Sequence, residues 1–189
     1  MRIVHIIGHT NHGKTTLITE LIPELRQRGL RVGTVKHCGH KHEIDVPGKD
    51  SHRHRAAGAE VVLAVTPDTL AVFRARPAKR DFYDEMAVHF RDCDLVLVEG
   101  HANGPGPKLE VWRAELGTSP MALERPDVIG IISDDAPIVP CPVWLRCDVA
   151  ALAARINAVA ATLPASLPTA PDEPTPAIAD GRDQVCLSR

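Results

Sequence analysis

With 189 residues and 44% hydrophobic content, the chain has material for one α/β domain of ordinary size around a single core. Its formal net charge of -2 supplies no general attraction for nucleic acid, and no run of ~18 apolar residues or N-terminal signal pattern marks it for a membrane or for export, so a cytoplasmic location is expected. The five cysteines, Cys38, Cys93, Cys141, Cys147 and Cys186, are scattered without a C-x-x-C pair, which argues against a disulfide framework or a four-thiolate zinc site and points to reduced thiols.

The first element, Arg2-Ile3-Val4-His5-Ile6-Ile7, is a short, β-branched, mostly apolar run of the kind that forms a buried parallel strand. It leads into Gly8-His9-Thr10-Asn11-His12-Gly13-Lys14-Thr15-Thr16, which fits the phosphate-binding pattern G-x-x-x-x-G-K-[ST]. Glycines at these places let the backbone curl so that successive N–H groups face an anion, and a helix beginning near Lys14 adds its positive dipole end. In such a loop the Lys14 ammonium reaches β- and γ-phosphate oxygens and the Thr15 hydroxyl ligates Mg²⁺. A chance glycine-rich turn is the competing reading, and the flanking elements weigh against it. Leu17, Leu21 and Leu25, beside Ile18 and Ile22, give one apolar helix face that stops at Gly29. Pro23 lies inside this pattern and is expected to kink the helix rather than divide it.

Arg31 to Lys36 resembles a second strand, followed by a long polar loop from His37 to Lys49. Asp50 is a candidate cap for a helix running to about Gly58. Val61 to Val65 and Leu70 to Phe73 are predicted strands joined at Pro67-Asp68, a hairpin that introduces antiparallel pairing. Phe82, Tyr83, Met86, Ala87 and Phe90 keep helical spacing, so residues 80 to 92 are predicted to cover the sheet. Leu95-Val96-Leu97-Val98 then runs into Glu99, an acid at a strand end where phosphoryl-transfer proteins hold Mg²⁺. A glutamate in place of the usual aspartate favours a water-mediated or water-orienting role over direct coordination. A strand-end carboxylate that merely faces solvent is the alternative.

Lys108 to Trp112 forms a further predicted strand after the Gly104-Pro105-Gly106-Pro107 loop, and Val128 to Ile132 another, ending at Ser133-Asp134-Asp135. Open α/β sheets collect ligands outside the carboxyl ends of their strands, which puts Asp134 and Asp135 where they would accept hydrogen bonds from a purine edge, guanine especially. A solvated turn or helix cap explains the same pair, and the N/T-K-x-D guanine motif is not evident. Asp148 is a good N-cap for a last helix with Val149, Leu152, Ile156, Val159 and Leu163 on one stripe. The 26 residues from Pro164 onward hold five prolines and no aromatic residue, a composition that cannot bury enough apolar area to offset ordering, so a flexible tail is expected over 164–189. Residues 1–163 are therefore expected to form a single P-loop NTPase domain of α/β class, with a mostly parallel sheet, some antiparallel strands and flanking helices.

Eight of the ten histidines, His9, His12, His37, His40, His42, His52, His54 and His101, fall in or beside loops and helix starts near the nucleotide end. His37-Cys38-x-His40-x-His42 offers imidazoles and a thiolate to Zn²⁺ or Ni²⁺, yet its alternating spacing matches no standard zinc pattern. Imidazoles together with Lys36, Lys41, Lys49, Arg53 and Arg55 meeting an anionic ligand are the preferred reading.

Taken together, Gly8 to Leu17, Lys36-His37, Pro47-Gly48-Lys49-Asp50-Ser51 with Ala57-Gly58-Ala59, Leu97-Val98-Glu99-Gly100 and Pro107-Lys108-Leu109-Glu110-Val111 make residues 2 to 163 resemble the molybdopterin-guanine dinucleotide biosynthesis adapter proteins, MobB. The resemblance implies a P-loop GTPase of low activity that forms a homodimer and works with the guanylyltransferase attaching GMP to molybdopterin. It implies phosphate contacts from Gly13, Lys14, Thr15 and Thr16, with Glu99 in the magnesium region and Lys36, His37, Lys49 and Asp50 on the functional surface. Molybdopterin would arrive as a ligand delivered by the partner. The histidines at 40, 42, 52 and 54 and the proline-rich tail depart from the pattern. No arginine finger or catalytic glutamine is evident, which favours slow hydrolysis. The alternative from another class is a nickel- or zinc-delivering GTPase of the hydrogenase and urease maturation type. A small-molecule kinase would need both an arginine-rich lid and an acceptor-binding base, and no segment clearly supplies both; a partition-type ATPase would need a lysine where His9 stands.

Overall fold

A computed structural model describes residues 1–39, 43–76 and 82–163. The tail expected over 164–189 and the histidines at 40 and 42 lie outside the described residues.

Six strands align in one sheet: β1 (Arg2–Ile7), β2 (Val32–Lys36), β5 (Leu95–Glu99), β6 (Lys108–Val111), β7 (Val128–Ile132) and β8 (Val143–Trp144), in the order β2-β5-β1-β6-β7-β8 and parallel throughout. A seventh strand, β9 (Ala161–Thr162), pairs antiparallel with Arg2 and Ile3 of β1. Among the described residues, the hairpin strands β3 (Val61–Val65) and β4 (Leu70–Arg74) pair only with each other, in a separate two-stranded sheet. The fold is thus α/β with a mostly parallel main sheet and a few antiparallel strands.

Helix α1 (Lys14–Gln27) and helix α4 (Val149–Val159) lie on one face. Val4 and Ile6 of β1 and Leu95 and Leu97 of β5 point at them, meeting Leu17, Leu21, Leu25, Leu152 and Ile156, while the alternate residues Ile3, Val96 and Val98 meet Tyr83 and Met86 on the opposite face. Burial on both faces explains why β1 and β5 read as unbroken apolar runs rather than alternating ones. Each of the four fully or nearly buried leucines and isoleucines of α1 contributes about 1.5–3 kcal/mol, which holds the helix in register behind the loop it follows. Pro23 sits within α1 and the helix continues through it.

Three boundaries differ from the sequence reading. Asp50 is not the cap of helix α2 (Asp50–Ala56): Lys49 holds that position in an extended conformation without a side-chain bond, and Asp50 is the first helical residue. The helix predicted over 80–92 is a six-residue helix α3 (Phe82–Ala87) continued by a 3-10 turn at Val88–Phe90, with residues 80 and 81 outside the described part. Helix α4, capped by Asp148 through a 2.9 Å bond from the Ala151 N–H, stops at Val159. Leu163 therefore leaves the helical stripe and packs beside Ile3 instead, because pairing of β9 with β1 satisfies backbone groups that one more helical turn would have left at the sheet edge.

Candidate functional site

The parallel strands direct their carboxyl ends to one edge, and β1 lies at the point where its neighbours β5 and β6 diverge, the place where open α/β sheets take ligands. The loop from Gly8 to Gly13 fills it. Gly8 has φ +136°, and a Cβ there would collide with the Val111 carbonyl oxygen of β6; Asn11 at φ +68° and Gly13 at φ +89° are also left-handed. Left-handed steps of this kind turn successive N–H groups inward, and Gly13 delivers the chain directly into α1, so the amides and the helix dipole converge on one point.

Lys14 Nζ bridges back to the Gly8 carbonyl at 2.9 Å and the His9 carbonyl at 2.6 Å, which holds its ammonium across the mouth of the loop. Burial lowers the Lys14 pKa from its ordinary value, with the Glu99 carboxylate opposing and Lys36 adding to the shift. Thr15 Oγ1 donates to Glu99 Oε1 at 2.7 Å, and Lys36 Nζ forms an ion pair with the same oxygen. A hydroxyl and a carboxylate brought together at a strand end are hard oxygen donors of the type Mg²⁺ prefers, so these two residues fit that ion. They line a cavity of about 620 Å³ with Thr10, Asn11, Gly13, Lys14, Thr16, Lys36, His37, Cys38 and Gly39.

A second cavity, about 450 Å³, shares Gly13 and Thr16 with the first and extends past His12, Trp112, Arg113 and Glu115 to Asp134, Asp135, Arg146 and Cys147. Here the cap-or-turn alternative for the two aspartates has a concrete basis. Asp134 Oδ1 accepts the Cys147 N–H at 2.8 Å, which holds its carboxyl below the usual range, and Asp135 Oδ2 accepts the Ala114 N–H at 2.7 Å. The two therefore close loops while standing in the cavity wall.

Of the remaining sequence-predicted residues, His12 has a role that the motif did not disclose. It is 1% exposed; Nδ1 accepts the Arg113 N–H at 3.0 Å and Nε2 lies 3.0 Å from Thr118 Oγ1, so the ring pins the loop to the segment after β6. Burial depresses its pKa, and the neighbouring His9, Lys14 and Arg113 reinforce this. His9 faces a third cavity formed with Thr118, Ser119, Pro120, Met121, Glu124 and Arg125. Lys49 and Asp50 are not brought into either of these two cavities; they stand exposed at the start of α2, where Asp50 pairs with Arg53.

Glu110 and His5, both 0% exposed, are marked in the sequence only as members of strands, Glu110 also within the Pro107 to Val111 run of the resemblance. Their hydrogen-bond partners, Met121 and Ala122 for Glu110 and Pro105 for His5, come from other segments. Among the described residues, no group of three or more His, Cys, Asp and Glu side chains is placed to hold a metal ion, and no helix is long and apolar enough to cross a membrane.

Comparison with known proteins bears on the family and the fold. Residues 3–134 match the family described as molybdopterin guanine dinucleotide synthesis protein B. The chain is 39% identical over 121 residues to the molybdopterin-guanine dinucleotide biosynthesis adapter protein of Haemophilus influenzae, covering 63% of this chain and 67% of that one. It is 35% identical over 127 residues to the protein of the same name from Escherichia coli, covering 65% and 72%. The crystal structure of Bacillus subtilis MobB superimposes with a TM-score of 0.64 at 27% identity, covering 82% of this chain and 98% of the other.

Proposed function

The chain belongs to the MobB family, and on that premise we propose that it is a GTP-binding adapter in molybdopterin guanine dinucleotide biosynthesis, assisting the guanylyltransferase that joins GMP to molybdopterin. The observation that carries the reading is the convergence of Lys14, Thr15 and Glu99 on one cavity, which shares Gly13 and Thr16 in its lining with a second of a size to take a base. Mg²⁺ bound there would neutralise charge on the phosphates. Thr15 and Glu99 would hold it, and the amides of the loop with Lys14 would hold the phosphates. Hydrolysis is weak in this reading, because among the described residues no arginine lines the phosphate cavity, and that group alone is worth about 10³–10⁵ in rate. Molybdopterin would be brought by the partner enzyme, and the adapter would work in the cytoplasm. No observation favours nickel or zinc delivery instead.

Calorimetric titration with GTP and ATP in the presence of Mg²⁺ tests the nucleotide. GTP is expected to bind more tightly, and Asp134→Asn to weaken GTP by roughly tenfold, the worth of one charge-assisted bond, with little effect on ATP. Equal losses for both nucleotides would assign Asp134 to loop closure alone. Tight stoichiometric ATP binding in preference to GTP would overturn the proposal.

A homodimer forms part of the same reading, and the hairpin offers a surface for the second copy. Across its ladder Leu63 faces Val72 and Val65 faces Leu70, and with Val61 these residues are between 43% and 71% exposed on one side. A two-stranded sheet is marginal alone, and an apolar face whose edges pair with no other strand among the described residues is the kind of surface that a copy of itself covers. Sedimentation of the Val65→Asp/Leu70→Asp double variant is expected to give a monomer where the unaltered chain gives a dimer. A dimer in both would move the interface elsewhere.

A further inference from the structure

Beside the phosphate cavity the fold assembles aromatic rings from four elements that nucleotide binding, as described so far, does not use. His5 comes from β1, Tyr83 from α3, His101 from the loop after β5 and His37 from the loop after β2. His5 Nε2 lies 2.9 Å from the Pro105 carbonyl and 3.3 Å from Tyr83 Oη. His5 Nδ1 in turn lies 3.4 Å from the Gly100 carbonyl, so carbonyls face both nitrogens of this ring. A hydrogen bond of 2.6 Å between Tyr83 Oη and His101 Nδ1 brings in His101. Its ring lies within 7° of parallel to Tyr83 and stacks on His37 at a centroid distance of 4.1 Å and 12°. Phe82 closes the group edge-on to both His37 and His101.

The backbone is shaped around this column. His101 has φ +56°, a conformation that a side chain other than glycine adopts only where its surroundings fix it. A Cβ at Gly104 would collide with the Tyr83 hydroxyl and press on the rings of His5 and His101. The far end of the column, His37, lines the phosphate cavity alongside Thr15, Lys36 and Glu99, and its N–H donates to the Glu99 carbonyl at 2.9 Å. The column therefore runs from the core strand that carries the phosphate loop to the wall opposite that loop.

We propose that Tyr83 and His101 are positioning residues that fix the His37 imidazole in this wall, so that the ring meets the terminal phosphate of a bound nucleoside triphosphate. The assignment rests on the nucleotide site described above and adds to it a residue that distinguishes triphosphate from diphosphate. A ring held by stacking on one side and by backbone pairing at its root loses little freedom on meeting a ligand, which is the advantage of preorganisation.

The test is carbon-resolved NMR of the histidine rings in the full chain, titrated with Mg²⁺ and either GDP or a non-hydrolysable GTP analogue, with Lys14→Ala as control. The His37 ring resonance is expected to move with the triphosphate analogue and to stay in place with GDP. In Tyr83→Phe, which keeps the buried ring and removes only the hydroxyl, and in His101→Asn, which tolerates the left-handed backbone but cannot stack, the triphosphate-specific shift is expected to be lost while the analogue still binds. Equal responses to GDP and the analogue, or an unaltered shift in both variants, overturn the positioning role and leave the nucleotide site standing. Failure of the analogue to bind the unaltered chain, or equal binding by Lys14→Ala, instead overturns the nucleotide site and this assignment with it.

Discussion

Lys14→Ala is expected to weaken GTP binding by on the order of 100-fold, measured by calorimetry with Mg²⁺ present. One charge-assisted hydrogen bond to an anion is worth about 1.5–3 kcal/mol, and every 1.4 kcal/mol is a factor of ten in affinity. The upper end of that range applies because the ammonium is already held at the loop mouth by the Gly8 and His9 carbonyls, so little of its interaction is spent on ordering the side chain. Its lowered pKa reflects partial burial, which also strengthens its attraction to phosphate by excluding water. The fold itself should survive. The two carbonyls released are at a solvent-accessible loop, and the α1 face that packs the sheet consists of Leu17, Ile18, Leu21 and Leu25. A variant that melts like the unaltered chain and still binds GTP with unchanged affinity would remove the loop from the nucleotide site.

The parts of this site that the sequence disclosed are those whose physical cause is local. A strand buried on both faces is an apolar run, a phosphate loop needs glycine where φ is positive, and an amphipathic helix repeats every three to four residues; Arg2 to Gln27 shows all three in succession. Glu99 was legible because it ends an apolar run at the edge where ligands collect, and β5 does place it against Thr15. What remained hidden depends on partners far along the chain. Val143–Trp144 is too short to carry a period, and it becomes a strand only because β7 pairs with it. Ala161–Thr162 continues a helical spacing to Leu163, yet pairing with Arg2 and Ile3 decides its conformation. His12 has the sequence position of a phosphate-loop residue, but its ring is turned to Arg113 and Thr118, which lie about a hundred positions away. His5, Tyr83 and His101 likewise come from three separate segments, each unremarkable by itself.

β6 supplies the clearest case of such a hidden dependence, because two charged side chains in four residues would argue against a central strand. Leu109 and Val111 face α1 and α4, while Lys108 and Glu110 point to the other side and are nonetheless buried. Each is compensated by the segment that covers it. Lys108 Nζ meets Asp127 Oδ2 at 3.0 Å and the Gly106 carbonyl at 3.2 Å, and the Arg125 guanidinium, with Lys108 beside it, holds the Asp127 carboxyl down at about 2. Glu110 accepts the Met121 N–H at 2.7 Å and the Ala122 N–H at 2.9 Å, one on each oxygen, and so anchors the 3-10 turn Met121–Leu123 to the sheet. The same segment carries Thr118, which faces His12 in the loop between β1 and α1.

Glu110→Ala is therefore expected to cost about 3–5 kcal/mol, since it leaves the buried Ala122 N–H and the half-buried Met121 N–H without their acceptor and opens a cavity beside Ala122 and Ile131. For a chain of this size 1 kcal/mol moves the melting temperature by about 2–4 °C, so a fall of about 6–20 °C is expected by calorimetry or circular dichroism. Glu110→Gln keeps one accepting oxygen but sets an amide NH₂ against the other N–H, and its melting point is expected between those of the alanine variant and the unaltered chain. GTP affinity should respond less than stability, because Lys14, Thr15 and Glu99 hang on β1, α1 and β5 rather than on β6. A melting point changed by no more than an exposed-site substitution, within about 0.5 kcal/mol, would mean that the turn finds its anchor elsewhere.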